Sequence, residues 1–188
     1  MGQPKQLLPW QRGTLLSHAI EKSLQVEQLK TFVILGAYAQ RIKKEVEHFP
    51  ITIVYNKDWE SGMGTSIRSA ITYFSENSLR FKAVLITLVD QPMVDVIHIN
   101  SLISAFNKNR GNIIATVMKK GVGVPAIFPF SYFGELLALT EDYGARYILR
   151  KNEDIIIPIE GENKVEDIDT IEQYQRLFDM LKRTKKAF

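Results

Sequence analysis

The sequence predicts one α/β domain built on a doubly wound, mostly parallel sheet. Short β-branched runs alternate with longer amphipathic stretches along its 188 residues. The run 82–88 is apolar at nearly every position, the pattern of a strand covered by helices on both faces. Several amphipathic stretches open on residue types that cap helices.

The predicted strands are 31–36, 51–55, 82–88, 112–117 and 154–159. Thr14 is placed to cap a helix whose Leu15, Leu16, Ala19, Ile20 and Leu24 share a face. Thr65 reads as the cap of another, carrying Ile67, Ala70, Ile71 and Phe74, and Asp95 opens a third with Ile99, Leu102, Ile103 and Phe106. The last helix starts at Thr170-Ile171-Glu172-Gln173, a capping-box spacing, and runs through Tyr174, Leu177, Phe178 and Leu181. No internal repeat, low-complexity segment or linker interrupts 1–188, so a single domain is expected.

Composition narrows the function. With 45% hydrophobic residues the chain is no disordered segment, and at this length roughly 70% of the unfolded surface can be buried. No run approaches the ~18 apolar residues of a membrane span. The first residues carry no apolar stretch after their charge, so no signal peptide is read there. There is no cysteine, which excludes disulfides, thiolate zinc sites and cysteine nucleophiles. A cytoplasmic protein without membrane or nucleic-acid partners is expected. The net charge of +3 is small for a nucleic-acid binder, and the basic run 182–186 reads as a solvated tail.

Ligands of open α/β sheets bind beyond the carboxyl ends of the strands, which directs attention to loops. Lys5, between Pro4 and Pro9, is either a phosphate-binding ammonium in a rigid loop or a solvated lysine on a frayed end. The segment Asn56 to Arg68, with Gly62, Met63, Gly64, Thr65 and Ser66, is either an anion or nucleobase site at a helix start or simply a helix start. Asp90, followed by Gln91, Pro92 and Met93, ends the most apolar strand, where Mg²⁺ and polyphosphate would meet; the alternative is a turn residue. Asp167 and Asp169 lie two apart before the last helix. In extended backbone both could face one cation, whereas as helix caps only one is accounted for. Asp90 with an acid of the 167–169 loop would then form a two-carboxylate Mg²⁺ site completed by substrate phosphates.

These loops together resemble the MobA-like nucleotidyltransferases, in particular the molybdenum cofactor cytidylyltransferase group. The motifs fall in order: Met1-Gly2-x-Pro4-Lys5-x-Leu7-Leu8-Pro9-Trp10, then Gly13-Thr14-Leu15-Leu16-x-His18-Ala19, then Asn56-x-x-Trp59-x-x-Gly62-Met63. Asp90-Gln91-Pro92, Gly121-Val122-Gly123-Val124-Pro125, 136–146 and Asp167-Ile168-Asp169-Thr170 complete the set. The resemblance implies a Rossmann-like, three-layer nucleotidyltransferase fold. It implies transfer of a nucleoside monophosphate, CMP from CTP first, to a phosphate acceptor such as molybdopterin, with release of pyrophosphate. It assigns Lys5 to phosphate contact, Asp90 to Mg²⁺ and catalysis, and Asp169 or Asp167 to the second metal ligand. Asn56, Gly62, Met63, Ser66, Gln91, Pro92, Val124, Pro125 and Arg146 are the implied substrate-binding residues, and a molybdoenzyme receiving the product is a further partner. Guanylyl transfer, sugar-phosphate nucleotidyl transfer and a non-catalytic maturation or binding protein are the alternatives.

Two departures from that pattern stand out. Val124 occupies the place of a histidine usual before Pro125, which bears on the acceptor. The strand and Leu-Ala-Ala-Gly-x-Ser-x-Arg loop that open such enzymes have no counterpart here. The expected sheet therefore lacks a strand between 31–36 and 82–88, and Met1 reads as an internal methionine with roughly 20 residues upstream. Weak or no NTP binding by this chain follows. His18 and His48 read as surface residues. Trp10 and Trp59 are read either as stacking platforms or as packing residues, and Arg146 either holds an acceptor phosphate or pairs with Glu141 or Asp142.

Overall fold

A computed structural model describes residues 4–140, 144–161 and 164–186, with side chains as far as Lys182. The motif residues Met1 to Gln3 and Glu141 to Tyr143 lie outside the described residues. After a 3₁₀ turn at Lys5–Leu7 comes a small antiparallel hairpin, β1 (Pro9–Trp10) and β2 (Gly13–Thr14). Helix α1 (Leu15–Leu24) starts on a reciprocal cap, with Ser17 N donating to Thr14 Oγ1 at 3.1 Å and Thr14 N donating to Ser17 Oγ at 2.8 Å. Strand β3 (Phe32–Leu35), helix α2 (Ala39–Val46) and strand β4 (Thr52–Tyr55) make a parallel βαβ unit. Helix α3 (Met63–Glu76) leads to β5 (Ala83–Ile86), and α4 (Val96–Lys108) to β6 (Ile114–Val117). Then follow β7 (Val122–Pro129), the short helices α5 (Phe133–Leu137) and α6 (Ala145–Lys151), strand β8 (Ile157–Glu160) and helix α7 (Ile171–Lys186).

The strands form a parallel pair, β3–β4, and a four-stranded sheet in the order β5-β7-β6-β8. Within the latter, β7 runs against both neighbours while β6 and β8 are parallel. Strand β7 is absent from the sequence expectation because Gly123, Pro125 and Pro129 are poor strand residues. It is tolerated because pairing jumps from Ala115–Ala126 to Thr116–Gly123, leaving Val124 and Pro125 in a bulge where no ladder N–H is required.

Alternation along β6 and β7 feeds two cores. Ala115, Ala126 and Phe128 face Phe74, Leu136 and Leu149, whereas Ile114 and Ile127 face Leu102, Ile103 and Phe106 of α4. Helices on both faces of the sheet make the predicted three-layer α/β arrangement.

Strand β5 differs from expectation. None of Ala83, Val84, Leu85 and Ile86 is fully buried, because β5 pairs with β7 on one side only. Its other edge borders a cleft of about 1560 Å³ whose opposite wall is the free edge of β3. Leu16 and Ile20 of α1, with Ile67 and Phe74 of α3, close its flanks. Among the described residues no strand bridges β3 and β5, so the strands form two separate sheets with the gap between 32–35 and 83–86, where the resemblance implies a further strand.

Helix starts follow the caps read from sequence, with one correction. Asp95 Oδ1 accepts from His98 N at 2.8 Å, and Gln173 N donates to Thr170 Oγ1 at 3.2 Å while Thr170 N donates to Gln173 Oε1 at 2.8 Å. Helix α3, however, is not capped by Thr65: it begins at Met63 after Gly62, whose φ of 100° suits glycine. Thr65 lies one turn inside, buried, with its hydroxyl donating to Gly62 O at 2.7 Å.

Trp10 is also a packing residue and not a stacking platform. It is 1% exposed, wedged against Tyr174 and Phe178 of α7, and Tyr174 Oη donates to Pro9 O at 2.6 Å. This clamp fixes the N-terminal hairpin, and with it Lys5, against the last helix.

Candidate active site

Lys5 is held, not frayed. Its ammonium donates to Asp90 Oδ2 at 3.1 Å and to Asp169 Oδ1 at 3.2 Å, so one cation touches carboxylates 79 positions apart. Three elements converge to make this contact: the turn Lys5–Leu7, the loop after β5 and the segment before α7. The two acid-bearing segments are also joined through the backbone, Ile168 N donating to Asp90 O at 2.9 Å. Ile168 itself is fully buried and anchors the segment between its two aspartates.

The bland role for the 167–169 acids, helix capping, is taken by Thr170 and Gln173, whose bonds are given above. Gln173 Oε1 also receives Asp169 N at 2.7 Å, so Asp169 is positioned by its backbone while its carboxylate points to Lys5. Asp167 Oδ1 accepts from Gln91 Nε2 at 2.9 Å, and the same amide donates to Val124 O at 3.1 Å. Gln91 therefore bolts the bulge of β7 to the acid cluster.

The cluster holds three carboxylates against one ammonium. Asp167 is pushed above the usual aspartate range, first by burial and then by the charges of Asp90 and Asp169. Burial opposes the charge on Lys5, but its bonds and attraction to Asp90 and Asp169 prevail and raise it. Asp90 Oδ1 and Gln91 Oε1 are buried without a hydrogen-bond partner. An orphaned carboxylate oxygen inside an acid-rich cluster is a place where a cation is wanted. Among the described residues no group of three or more His, Cys, Asp or Glu is arranged to hold a metal unaided. Two carboxylates with substrate phosphates are a common Mg²⁺ donor set, so the residues present fit that ion.

The 1560 Å³ cleft runs from these acids between the two sheets. Lys5, Asp90, Gln91, Asp167 and Asp169 line one end, and Met63, Ser66, Val124 and Arg146 also line it. Gly144 brings α6 against Met63, with a Cβ there only 3.2 Å from its sulfur. Arg146 is exposed on the first turn of α6, and Trp59, 44% exposed, packs so tightly on Gly36 that a Cβ there would lie 2.5 Å from its own.

Asn56, Gly62, Pro92 and Pro125 stand behind the cleft and do not line it. Asn56 Nδ2 donates to Thr65 Oγ1 at 2.8 Å and Ser66 Oγ at 3.0 Å, and its Oδ1 accepts from Asp58 N at 2.9 Å. Its amide is committed to shaping the loop ahead of α3. Asn56 and Thr65 are both buried, so Asn56→Ala takes the amide donor from a buried hydroxyl and is expected to cost about 2–3 kcal/mol, measured as a lower urea midpoint. A loss under about 0.5 kcal/mol would mean the network carries no such weight.

Two residues in this region escaped sequence reasoning. His98, buried on α4, sits with Nε2 2.8 Å from Thr116 Oγ1, which donates to Pro125 O at 2.7 Å and so supports the bulge. Lys22 of α1 donates its ammonium to the carbonyls of Pro92 and Val94. Burial lowers Lys22 to about 8, against a smaller opposing pull from Asp95. Between that value and its unfolded value near 10.5 the unfolded chain holds the extra proton, so stability rises with pH in this window. Wild type is expected to gain on the order of 1–2 kcal/mol over Lys22→Met between pH 7.5 and 10 in urea titrations. Equal slopes for both proteins would contradict this.

Residues 1–155 match the family described as MobA-like NTP transferase domain. The chain belongs to that family. It is thus a member of a nucleotidyltransferase family with the Rossmann-like α/β fold. A nicotine blue oxidoreductase of Paenarthrobacter nicotinovorans is 30% identical over 185 residues, 93% of this chain and 87% of that protein. The molybdenum cofactor cytidylyltransferase of Escherichia coli K12 is 32% identical over 72 residues, 38% of this chain and 37% of that protein. Among solved structures, the homologue of Mycobacterium tuberculosis Rv0371c from Mycobacterium sp. strain JC1 superposes with a TM-score of 0.80 at 26% identity, covering 98% of this chain and 91% of the other. No helix among the described residues is long and apolar enough to cross a membrane.

Proposed function

We propose that this protein transfers a nucleoside monophosphate, CMP from CTP as first choice, to a phosphate-bearing acceptor such as molybdopterin. The observation that carries the reading is the ammonium of Lys5 shared by Asp90 and Asp169 beside the orphaned Asp90 Oδ1. Transfer of this kind needs little covalent help from the protein. An acceptor phosphate oxygen attacks the α-phosphorus, the bond to the β-phosphate oxygen breaks, and pyrophosphate departs. What the site must supply is positioning and neutralisation of charge.

Asp90 and Asp169, with Asp167 beside them, would hold Mg²⁺. The ion, when bound, neutralises phosphate charge on the nucleotide and the departing pyrophosphate. Lys5, fixed by the Trp10 clamp, adds a positive charge for the phosphates. Val124 offers an apolar contact to the acceptor at the bulge that Gln91 bolts to the acids. Arg146, exposed on the first turn of α6 and lining the same cleft, is set to take an acceptor phosphate. A molybdoenzyme receiving the product remains part of this reading, and so does a cytoplasmic location.

The open cleft between β3 and β5 supports a further element of the proposal: one more strand belongs there for full NTP affinity. It also favours the second reading, a binding or maturation protein without transfer. The relative named for redox chemistry is a reminder that a shared fold does not settle the reaction.

The test is a panel of CTP, GTP, ATP and UTP with Mg²⁺ and a phosphate-bearing acceptor, following pyrophosphate release. Release with CTP ahead of the others supports the proposal. Release with GTP or a sugar phosphate moves it to the neighbouring transferase class. Nucleotide binding without release supports the non-catalytic reading.

A further inference from the structure

The loop after β5 has few bonds of its own. Between Asp90 and Asp95 the backbone makes one internal contact, Val94 N to Gln91 O at 3.2 Å. Pro92 has no N–H to give. What fixes the loop comes from outside it: Ile168 N on Asp90 O, Gln91 on Asp167 and Val124, and Lys22 on the carbonyls of Pro92 and Val94.

Lys22 stands apart among these. It comes from α1, lies behind the loop and is not among the residues lining the cleft. Two main-chain carbonyls from alternate residues converge on its one ammonium. The charged groups facing it are Asp95, whose carboxylate is shared with Lys164 at 3.3 Å, and that lysine beyond. Among the described residues no carboxylate bonds Lys22 directly. A half-buried ammonium satisfied by carbonyls is costly to desolvate, and an apolar side chain would pack α1 at less cost. The position of the loop is what the charge secures.

We infer that Lys22 is a positioning residue, whose ammonium sets the path of the 91–95 turn and so aims the Asp90 carboxylate at the cation site. The inference rests on the reading of Asp90 as a metal ligand. Its action is indirect, through two carbonyls, and it touches neither nucleotide nor acceptor.

Mn²⁺, a paramagnetic stand-in for Mg²⁺, can be titrated by electron paramagnetic resonance into wild type, Lys22→Met and Lys22→Arg. Amide hydrogen exchange of residues 89–95 is followed in the same three proteins. Lys22→Met is expected to bind Mn²⁺ about tenfold more weakly. Its 91–95 amides are expected to exchange at least tenfold faster. Exchange in β6 and β7 stays at the wild-type rate, and Lys22→Arg recovers most of both effects. Wild-type Mn²⁺ affinity and wild-type exchange in Lys22→Met overturn the inference. So does faster exchange throughout the sheet without recovery by arginine, which marks a merely structural residue. If Lys22→Met does not fold, Lys22→Arg and Lys22→Gln carry the comparison. If wild type itself binds no Mn²⁺, the metal reading fails, and the exchange data alone decide whether Lys22 holds the turn.

Discussion

Asp90→Asn is expected to lower Mn²⁺ affinity and nucleotidyl transfer by two to three orders of magnitude while leaving the melting temperature within a few degrees of wild type. The loss on transfer is of the size that follows removal of a single pre-organised electrostatic group, about 10²–10³-fold. Stability is spared because the substitution removes one of three clustered acids and leaves Lys5 its bond to Asp169 at 3.2 Å. The amide also keeps the shape of the side chain whose Oδ1 is buried. Asp58→Asn is the control, since Asp58 pairs with Arg68 in an exposed ion pair at 3.0 Å and belongs to no part of the acid cluster. Should Asp90→Asn bind Mn²⁺ as wild type does, Asp90 is not a ligand.

The second large effect comes from filling the cleft. A segment fused ahead of Met1, an apolar strand of about five residues followed by a Gly-rich Ser/Arg loop, is expected to lie between β3 and β5 and to stabilise the domain by several kcal/mol. It would add up to ~10 ladder hydrogen bonds at ~1 kcal/mol each and bury several side chains at ~1.5–3 kcal/mol each. Ordering the strand costs about 1–2 kcal/mol per residue, so the net gain is about half the gross. At 2–4 °C per kcal/mol for a domain of this size, a net gain of about 8–10 kcal/mol should raise the melting temperature by roughly 15–40 °C. Amides of β3 and β5 should become protected together. Calorimetric titration with CTP and Mg²⁺ should show tighter binding in the fused protein than in the unmodified chain, whose transfer is therefore followed at saturating nucleotide. A fused strand that leaves stability and protection unchanged, or tight CTP binding without it, would contradict this.

Much of the scaffold was readable because local chemistry dictates it. Thr14, Asp95 and Thr170 announce their helices through side chains that accept backbone N–H groups, and those bonds are present. Strand β6 was legible from its β-branched run. Helix α2 was not: of its residues only Ile42 and Val46 are buried, and Tyr38 starts it with a φ of 56° and no side-chain cap. Strand β7 hid behind Gly123 and its prolines, and Pro125 is permitted by a bulge that depends on β6, a partner that single-strand patterning does not see.

At the site, the acids and Lys5 could be proposed because residue type and loop position suffice to place a carboxylate near a strand end. Supporting residues were harder. Asn56 and Gln91 look like polar loop residues, and only the folded contacts show their amides holding loops in place. Lys22 on an amphipathic helix reads as a solvated charge, since nothing local marks the two carbonyls that reach it from Pro92 and Val94.

The most direct measurement is anomalous diffraction at the manganese edge from crystals soaked in Mn²⁺. A single peak is expected within about 2.0–2.3 Å of carboxylate oxygens from both Asp90 and Asp169. A peak bound by one of them alone, or manganese bound elsewhere with the two carboxylates still joined only through Lys5, would contradict the shared cation.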